Sequence, residues 1–322
     1  PSAADAVNEF QDWEFTMTRF QDVLERFPFE PAEKRTLLIR KTDYLHHIYP
    51  PDNAFTSDNN YLIVSTDTLL VGIYELAPGA SFEPIDIHPG DEMYYILEGP
   101  VVQKSNYGQY VELQTDEGLL IPQETWHQGN NFSNHKVRVL FFIAPKAWGE
   151  DVPPKIFPAA DDTKTFKGRK NSEIPSVAGR SGINPLPTTD DLGRFPVDGA
   201  AARIHPTNIY RIGDREKLVT LMGNDSPMLM KFTVSTDFAH MGEMIVPPGG
   251  GKGPRCSEPM SHQGDLVLYC MEGPITVNFP DRRDCLILEP EESIFIPAGV
   301  SYQLVNFDGH PVRAIFSIAP GL

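Results

Sequence analysis

The sequence contains little cysteine and no long apolar run. Its three cysteines, Cys256, Cys270 and Cys285, all lie in the second half of 322 residues. An odd number without regular spacing does not suit a disulfide framework and fits a reducing compartment. The chain has no run of about 18 apolar residues, the length that could span a bilayer. It also has no basic start followed by an apolar stretch, as a secretory signal would have. We therefore expect a cytoplasmic protein that does not enter the membrane.

Positive charge is also scarce. The chain has 27 Lys and Arg against 44 Asp and Glu, which gives a formal net charge of −17 at pH 7. Nucleic acids and membrane surfaces are polyanions that repel such a chain, so neither is expected as a partner. The length and the 40% of hydrophobic residues are sufficient for two compact domains. A small molecule is therefore the expected kind of partner.

Two short segments contain a set of side chains suited to a metal. They read "DIHPGDEMYYILEG" at residues 86–99 and "IPQETWHQGNN" at residues 121–131. Within them, His88, Glu92 and His127 offer two imidazoles and one carboxylate. Such a set can hold a divalent metal and leave coordination positions open for a substrate or for oxygen.

The spacing of these residues needs a turn. On one straight strand, residues four apart lie about 13 Å from each other, too far to share a metal. Pro89 and Gly90 favour a turn, so His88 can end one strand and Glu92 can begin the next. Asp86 lies two residues before His88 and faces the same side of its strand. It is a candidate fourth ligand, or a carboxylate that orients a metal-bound histidine.

Both segments resemble the signature motifs of the cupin superfamily. The first resembles a motif with two histidines and a glutamate, although Asp86 stands where the first histidine is usual. The second matches at Pro122, His127 and Asn131, although Glu124 stands where glycine is common. The resemblance implies a metal bound in this part of the chain. The ligands that it carries over are His88, Glu92 and His127.

The motifs lie in a sequence that is duplicated. "VSTD" occurs at residues 64–67 and again at residues 234–237. "VRVLFFIAP" at residues 137–145 corresponds to "VRAIFSIAP" at residues 312–320. An orderly internal repeat is a strong guide to architecture. The chain resembles a bicupin, which predicts an all-β fold of two tandem cupin barrels of the double-stranded β-helix, or jelly-roll, type with an N-terminal helix.

Four segments are predicted on this basis. Aromatic and aliphatic residues recur at three- and four-residue steps over 5–27, which indicates an amphipathic helix. The predicted segments are an N-terminal helical segment at 1–36, a metal-binding cupin barrel at 37–145, a linker at 146–201 and a second, metal-free cupin barrel at 202–322.

The second copy lacks most of the candidate ligands. Of the four candidate positions, only the one at His88 keeps a metal-binding side chain, and the fold-forming turn residues persist. We therefore expect no catalytic metal in the second barrel. The residues at the places of Asp86, His88, Glu92 and His127 are Met260, His262, Leu266 and Tyr302.

The strand "YYILEG" in the first copy is apolar on both faces, so both faces are expected to be covered. One face should line the barrel, and by alternation Tyr94 and Ile96 share it with Glu92. The other face should meet the helix, the second barrel or another subunit. We expect a homo-oligomer.

The bicupin resemblance implies a mononuclear non-haem Fe(II) dioxygenase that cleaves a small phenolic or diketone-like substrate with O2. In that role Glu92, or Asp86 if it is not a ligand, would move a proton, and Tyr94 would line the substrate site. The same ligands also suit a Lewis acid, so a Mn(II)- or Zn(II)-dependent isomerase, decarboxylase or lyase acting on a small acid is the alternative. A non-catalytic bicupin that binds a small molecule is the third hypothesis.

Overall fold

A computed structural model of the protein describes residues 23–49, 58–82, 87–105, 109–145, 188–198, 208–249 and 254–322. Three of the predicted features lie wholly or mostly outside these residues. They are the predicted helix at 5–27, of which residues 5–22 lie outside, Asp86, and most of the linker at 146–201.

The described residues form 21 strands in four antiparallel sheets, which confirms the all-β prediction. They include no helix long and apolar enough to cross a membrane. The strands of the first half are β1 (Leu37–Ile39), β2 (Leu45–Tyr49), β3 (Asp58–Ser65), β4 (Leu70–Leu76), β5 (Asp91–Glu98), β6 (Val101–Ser105), β7 (Gln109–Leu113), β8 (Gly118–Ile121), β9 (His127–Asn130) and β10 (Val137–Ala144). Those of the second half are β11 (Tyr210–Ile212), β12 (Leu218–Met222), β13 (Met228–Ser235), β14 (His240–Val246), β15 (Arg255–Cys256), β16 (Asp265–Glu272), β17 (Ile275–Phe279), β18 (Asp284–Leu288), β19 (Ser293–Ile296), β20 (Gln303–Asn306) and β21 (Val312–Ala319).

Each barrel contains a large and a small sheet that face each other. In the first barrel the order β11-β8-β5-β10-β4-β3-β2 is opposed by β7-β6-β9. In the second, β1-β19-β16-β21-β14-β13-β12 is opposed by β15-β20-β17-β18. Tyr94 and Ile96 of β5 join Val101 of β6 and Val111 of β7 in one buried cluster. The interior of the first barrel is therefore built from the inner faces of both its sheets.

The barrels exchange edge strands. Leu37–Ile39 of the first half pairs with β19 of the second barrel. Tyr210–Ile212 of the second half pairs with β8 of the first barrel. The strand pairing thus crosses the predicted segment boundaries at both places, because each barrel takes its outermost strand from the other half of the chain.

The outer face of β5 is covered by the second barrel. Met93 and Tyr95, which alternate with the inward residues Tyr94 and Ile96, belong to a large core. That core also contains residues from β12 to β21, among them Phe316. The strand is apolar on both faces because one face lines its own barrel and the other packs between the barrels.

Charged residues cross the boundary between the barrels in a reciprocal way. Arg138 of β10 contacts Glu291 of the second barrel, with Nη2 and Oε1 2.7 Å apart. Arg313 of β21 contacts Asp116 of the first barrel, with Nη1 and Oδ1 3.1 Å apart. Arg138 and Arg313 occupy equivalent positions in the two repeats, as do Asp116 and Glu291. The two barrels are therefore related by an approximate twofold axis.

The duplication begins earlier in each half than the predicted barrels do. The pattern D-x-L-x-R-F-P occurs at residues 22–28 and again at residues 190–196. Phe27 forms two backbone hydrogen bonds with Ser65, and Phe195 forms two with Ser235. The second copy of this pattern lies within the predicted linker, so at least this part of the linker is an element of the repeat.

Candidate metal centre

Two loops are joined by backbone hydrogen bonds where the candidate ligands lie. The turn at Pro89 and Gly90 places His88 just before β5, and Glu92 is the second residue of that strand. The backbone N–H of Glu124 donates to the carbonyl of His88 at 2.7 Å. The backbone N–H of Gln123 donates to Oδ1 of Asp91 at 3.0 Å. These bonds hold the loop before β9, and therefore His127, against the start of β5.

The structure brings the three predicted ligands together. Nε2 of His127 lies 2.7 Å from Oε2 of Glu92, and Nε2 of His88 lies 3.6 Å from the same oxygen. One ligand atom from each residue lies within 4.8 Å of the others, and all three side chains are buried. Ligand atoms bound to one divalent ion at about 2.0–2.2 Å are separated by similar distances.

The tautomer of His127 fits a ligand role. Its Nδ1 lies 3.1 Å from the carbonyl oxygen of Thr125. Because a carbonyl can only accept, Nδ1 carries the proton when the ring is neutral, which leaves the Nε2 lone pair available to a metal. Without a metal, Nε2 lies against Glu92 as the N–H of a protonated ring. Metal-bound histidines commonly show this arrangement, with the far ring nitrogen donating to a carbonyl. The donor set therefore fits a divalent metal.

Glu92 is held in its charged form. Burial by itself raises the pKa of this carboxyl, but the charges of His127 and His88 and hydrogen bonds from His127 and Tyr94 outweigh that effect. The pKa of Glu92 consequently lies below its ordinary value. An ionised carboxylate is the form that binds metals.

Aromatic side chains surround the cluster. The ring centroid of Tyr94 lies 6.2 Å from that of His127, and the Phe82 centroid lies 5.9 Å from it, both edge to face. Tyr74 packs edge to face on Tyr94 at 5.5 Å and on Phe82 at 5.3 Å. The sequence predicted Tyr94 on this wall by strand alternation, and the structure places it there.

The sequence did not point to Tyr74, Phe82 or the carbonyl of Thr125. A usable signal existed for Tyr74, because antiparallel neighbours share a face: Ile96 pairs with Val139, and Val139 pairs with Tyr74. That chain of pairs depends on registers that no single strand reveals. Asp86 lies outside the described residues, so its role as a ligand stays a prediction.

The second barrel places a different pair at the same location. Nε2 of His262 lies 2.8 Å from the hydroxyl of Tyr302, to which it is hydrogen bonded. The two rings are 5.7 Å apart and tilted by 46°, close to the 5.5 Å and 46° between His88 and His127. Burial lowers the pKa of His262 to about 4, so its ring is neutral at physiological pH. The shared geometry thus holds a metal-type cluster in one repeat and an imidazole–phenol pair in the other.

Glu124 adopts a backbone conformation that suits glycine. Its φ is 60°, and at the equivalent position of the second barrel Gly299 has φ of 74°. The N–H of Gly299 donates to the carbonyl of His262, just as the N–H of Glu124 donates to that of His88. Left-handed backbone costs a side chain about 1–2 kcal/mol, whereas glycine adopts it freely.

We therefore predict that Glu124→Gly raises the free energy of unfolding by about 0.5–1 kcal/mol, after the greater entropy of the unfolded glycine chain is subtracted. Denaturant unfolding will measure this change in the free energy of unfolding. Glu112→Gly is the matched control, because Glu112 is an exposed glutamate in β7 with extended backbone, and it should lose stability. Equal losses in both variants would contradict the argument.

Comparison with known proteins places a cupin domain in the first barrel. Residues 72–143 match the cupin domain family, Cupin_2. Over 78 residues the chain is 38% identical to the Tetracenomycin polyketide synthase protein TcmJ of Streptomyces glaucescens. The aligned region covers 24% of this chain and 51% of that relative. The chain thus spans about half the length of the curated relative that it matches.

Solved structures share the fold across both halves. Oxalate decarboxylase of Lactobacillus farciminis, as its formate complex, superposes with a TM-score of 0.57 at 10% identity, over 90% of this chain and 87% of that one. Oxalate decarboxylase of Bacillus subtilis, which has Mn(II) centers, gives 0.56 at 13% identity, over 90% and 78%. Protein Ylba of E. coli gives 0.54 at 12% identity, over 88% and 90%. At such identities the likeness shows the fold alone, and it confirms the predicted bicupin architecture.

Proposed function

We propose that this protein, which carries a cupin domain within two tandem barrels, is a mononuclear non-haem Fe(II) dioxygenase that acts on a small phenolic or diketone-like substrate. The observation that carries the proposal is the buried cluster of His88, Glu92 and His127. Two histidines and one carboxylate are the ligand set typical of non-haem Fe(II) oxygenases.

His88, Glu92 and His127 would hold the ion, with the ionised carboxylate of Glu92 offsetting part of its positive charge. Bound there, Fe(II) would supply open positions for O2 and for substrate oxygen atoms, and a path for electron density from the substrate to O2. Whether Asp86 adds a fourth ligand or orients a histidine is part of the proposal.

The other side chains would position the substrate and handle protons. The hydroxyl of Tyr94 donates to the carboxylate of Glu92 and so fixes its orientation. Glu92 would accept a proton from a phenolic or enolic substrate as that substrate binds. The rings of Tyr74 and Tyr94 form an apolar wall that would pack against an aromatic substrate and exclude water.

A second candidate function uses the same residues without oxygen. In it the protein would be a Mn(II)- or Zn(II)-dependent isomerase, decarboxylase or lyase, with the ion polarising a substrate oxygen. Two observations support this second candidate: the local similarity to a polyketide synthase protein and the fold shared with oxalate decarboxylases. A location in the cytoplasm and assembly as a homo-oligomer remain predictions.

Metal loading and oxygen uptake test the proposal and separate the two candidates. Protein loaded anaerobically with Fe(II), Mn(II) or Zn(II) should retain about one ion per chain, because the described residues contain one such cluster of ligands. With Fe(II), we expect O2 uptake that matches the loss of hydroquinone, catechol or acetylacetone. Turnover of a substrate without O2 under Mn(II) or Zn(II) would favour the second candidate. Failure to retain any divalent ion would contradict both.

A further inference from the structure

Gln103 is a buried amide that lacks a hydrogen-bond partner among the described residues. Its side chain is 0% exposed, and within that part of the chain neither Nε2 nor Oε1 has a partner. Buried amides in folded proteins are nearly always hydrogen bonded, because an unsatisfied polar group loses its solvation without compensation. An exception of this kind calls for a reason, and a ligand that supplies the missing bonds is one.

The amide faces the same interior as the metal cluster. On β6, Ser105 pairs with His127 of β9, and Gln103 pairs with Gly129 of the same strand. Side chains two residues apart on a strand share a face, so Gln103 and His127 both point into the barrel. The pair of Gln103 with Gly129 and the pair of Ser105 with His127 are separated by about 7 Å along the strands. That distance is close to the width of one aromatic ring with an oxygen on each side.

An aromatic ring already fills the space beside the amide. A Cβ atom placed on Gly129 would lie 2.5 Å from Cε1 of Phe82 and 3.3 Å from Oε1 of Gln103. The missing side chain at Gly129 therefore lets the ring and the amide approach each other. The same ring packs edge-on against His127. Phe82 thus occupies the space between the amide and the metal cluster, where a substrate ring would have to lie.

The second barrel shows that the fold does not require this amide. Val277 and Leu304 form the equivalent cross-strand pair, and Ser257 stands in the place of Phe82. The barrel without the metal-type cluster therefore has an apolar pair where the barrel with the cluster has Gln103 and Gly129.

Gln109, also in the first barrel, shows how a structural amide behaves. It is equally buried, at 0% exposed. Its Nε2 donates to Oδ1 of Asn208 at 2.6 Å, and its Oε1 accepts from the backbone N–H of Ile209 at 3.2 Å. This buried glutamine is thus bonded through both its nitrogen and its oxygen to described residues, whereas Gln103 is bonded through neither.

We infer that Gln103 is a substrate-binding residue that recognises an oxygen on the far edge of the substrate ring. Its Nε2 donates to that oxygen and its Oε1 accepts from the hydroxyl hydrogen, while the near oxygen binds at the cluster of His88, Glu92 and His127. The ring takes the position of Phe82, which moves aside. The substrate class is then a para-oxygenated aromatic, and for that class the inference rests on the proposed function.

The binding of two ligands to the wild type and to one variant tests this inference without any measurement of turnover. Full-length protein loaded with Zn(II) is titrated calorimetrically, without oxygen, with phenol and with hydroquinone. The hydrogen bonds of Gln103 to the added hydroxyl should make the wild-type Kd for hydroquinone at least about tenfold lower than that for phenol. In Gln103→Leu the ratio should fall to about one, with the Kd for phenol unchanged. An unchanged ratio in Gln103→Leu, or no binding of hydroquinone to the wild type, overturns the inference.

Thermal unfolding of the ligand-free variants provides the control for folding. Gln103→Leu removes two unpaired polar atoms, so its Tm should equal or exceed that of the wild type. Gln109→Leu leaves Asn208 and Ile209 without their partner and should lower Tm. A loss in Gln103→Leu as large as that in Gln109→Leu would show a structural amide and overturn the inference. A changed binding ratio in a protein that turns over nothing would uphold the inference and reject the proposed function.

Discussion

Changing His88 to alanine will remove the metal from the first barrel, whereas the same change at His262 will leave it in place. The two histidines occupy equivalent positions in the repeats, and both are buried. His88 is one of three residues whose ligand atoms converge, so its loss leaves two. His262 is instead hydrogen bonded to Tyr302 and has Leu266 where Glu92 stands in the first barrel.

Metal content after dialysis and the rate of turnover will measure the difference. Loss of one ligand should lower metal affinity and activity by at least about 100-fold, since even residues that only support a ligand are worth 10–100-fold. His262→Ala should lose some stability through its missing hydrogen bond but keep its metal. Retention of metal by His88→Ala, or loss of metal from His262→Ala, would show that the ion is bound elsewhere.

Changing Lys217 to methionine will lower the free energy of unfolding by about 3 kcal/mol, because it leaves a carboxylate buried without its main partner. The side chains of Lys217 and Glu243 are 0% and 1% exposed, and the ammonium is hydrogen bonded to Oε1 of the carboxylate. Lys217 Nζ also lies 4.8 Å from the ring of Tyr95, across the boundary between the barrels. Arg313, 3.4 Å from Glu243, compensates in part.

The double variant Lys217→Met with Glu243→Leu separates an unpaired charge from lost packing. Methionine keeps the length of the lysine stem, so the packing changes little. Replacing both members of a buried ion pair by apolar residues is often neutral or stabilising. We therefore expect the double variant to regain most of the stability that the single variant loses in denaturant titrations. An equal loss in both would show that packing, not charge, accounts for the effect.

The cluster of ligands could be predicted because its chemistry is local. His88, the turn at Pro89 and Gly90, and Glu92 are close in sequence, and a turn has one strong signature. His127 lies further along the chain, and the resemblance to a second motif supports its place beside the other two. Alternation along β5 then placed Tyr94 on the inner wall without any knowledge of the other strands.

The partners of each strand could not be predicted in the same way. The outer face of β5 was expected to be covered, but three different covers were equally consistent with an apolar pattern. Pairing of Leu37–Ile39 with β19 joins residues about 250 positions apart, and no local preference encodes that choice. The unpaired amide of Gln103 also depends on what Gly129 and Phe82 leave free around it.

One further structural element is visible in the sequence. The repeated D-x-L-x-R-F-P lies in two segments whose other residues favour a helix in the first copy and a linker in the second. Identical residues at equal spacing mark Phe27 and Phe195 as equivalent positions of the two repeats. Their matching backbone bridges to Ser65 and Ser235 are the structural result.

The mutual donation of edge strands has a consequence for how the two halves can diverge. Either half made alone would present an uncovered strand, β8 or β19, and the natural way to cover it is a second copy of the same half. The single chain thus has the arrangement of two covalently linked copies of one barrel. Because the linkage guarantees each barrel its partner, the second barrel can serve as a scaffold while the first holds the cluster of His88, Glu92 and His127.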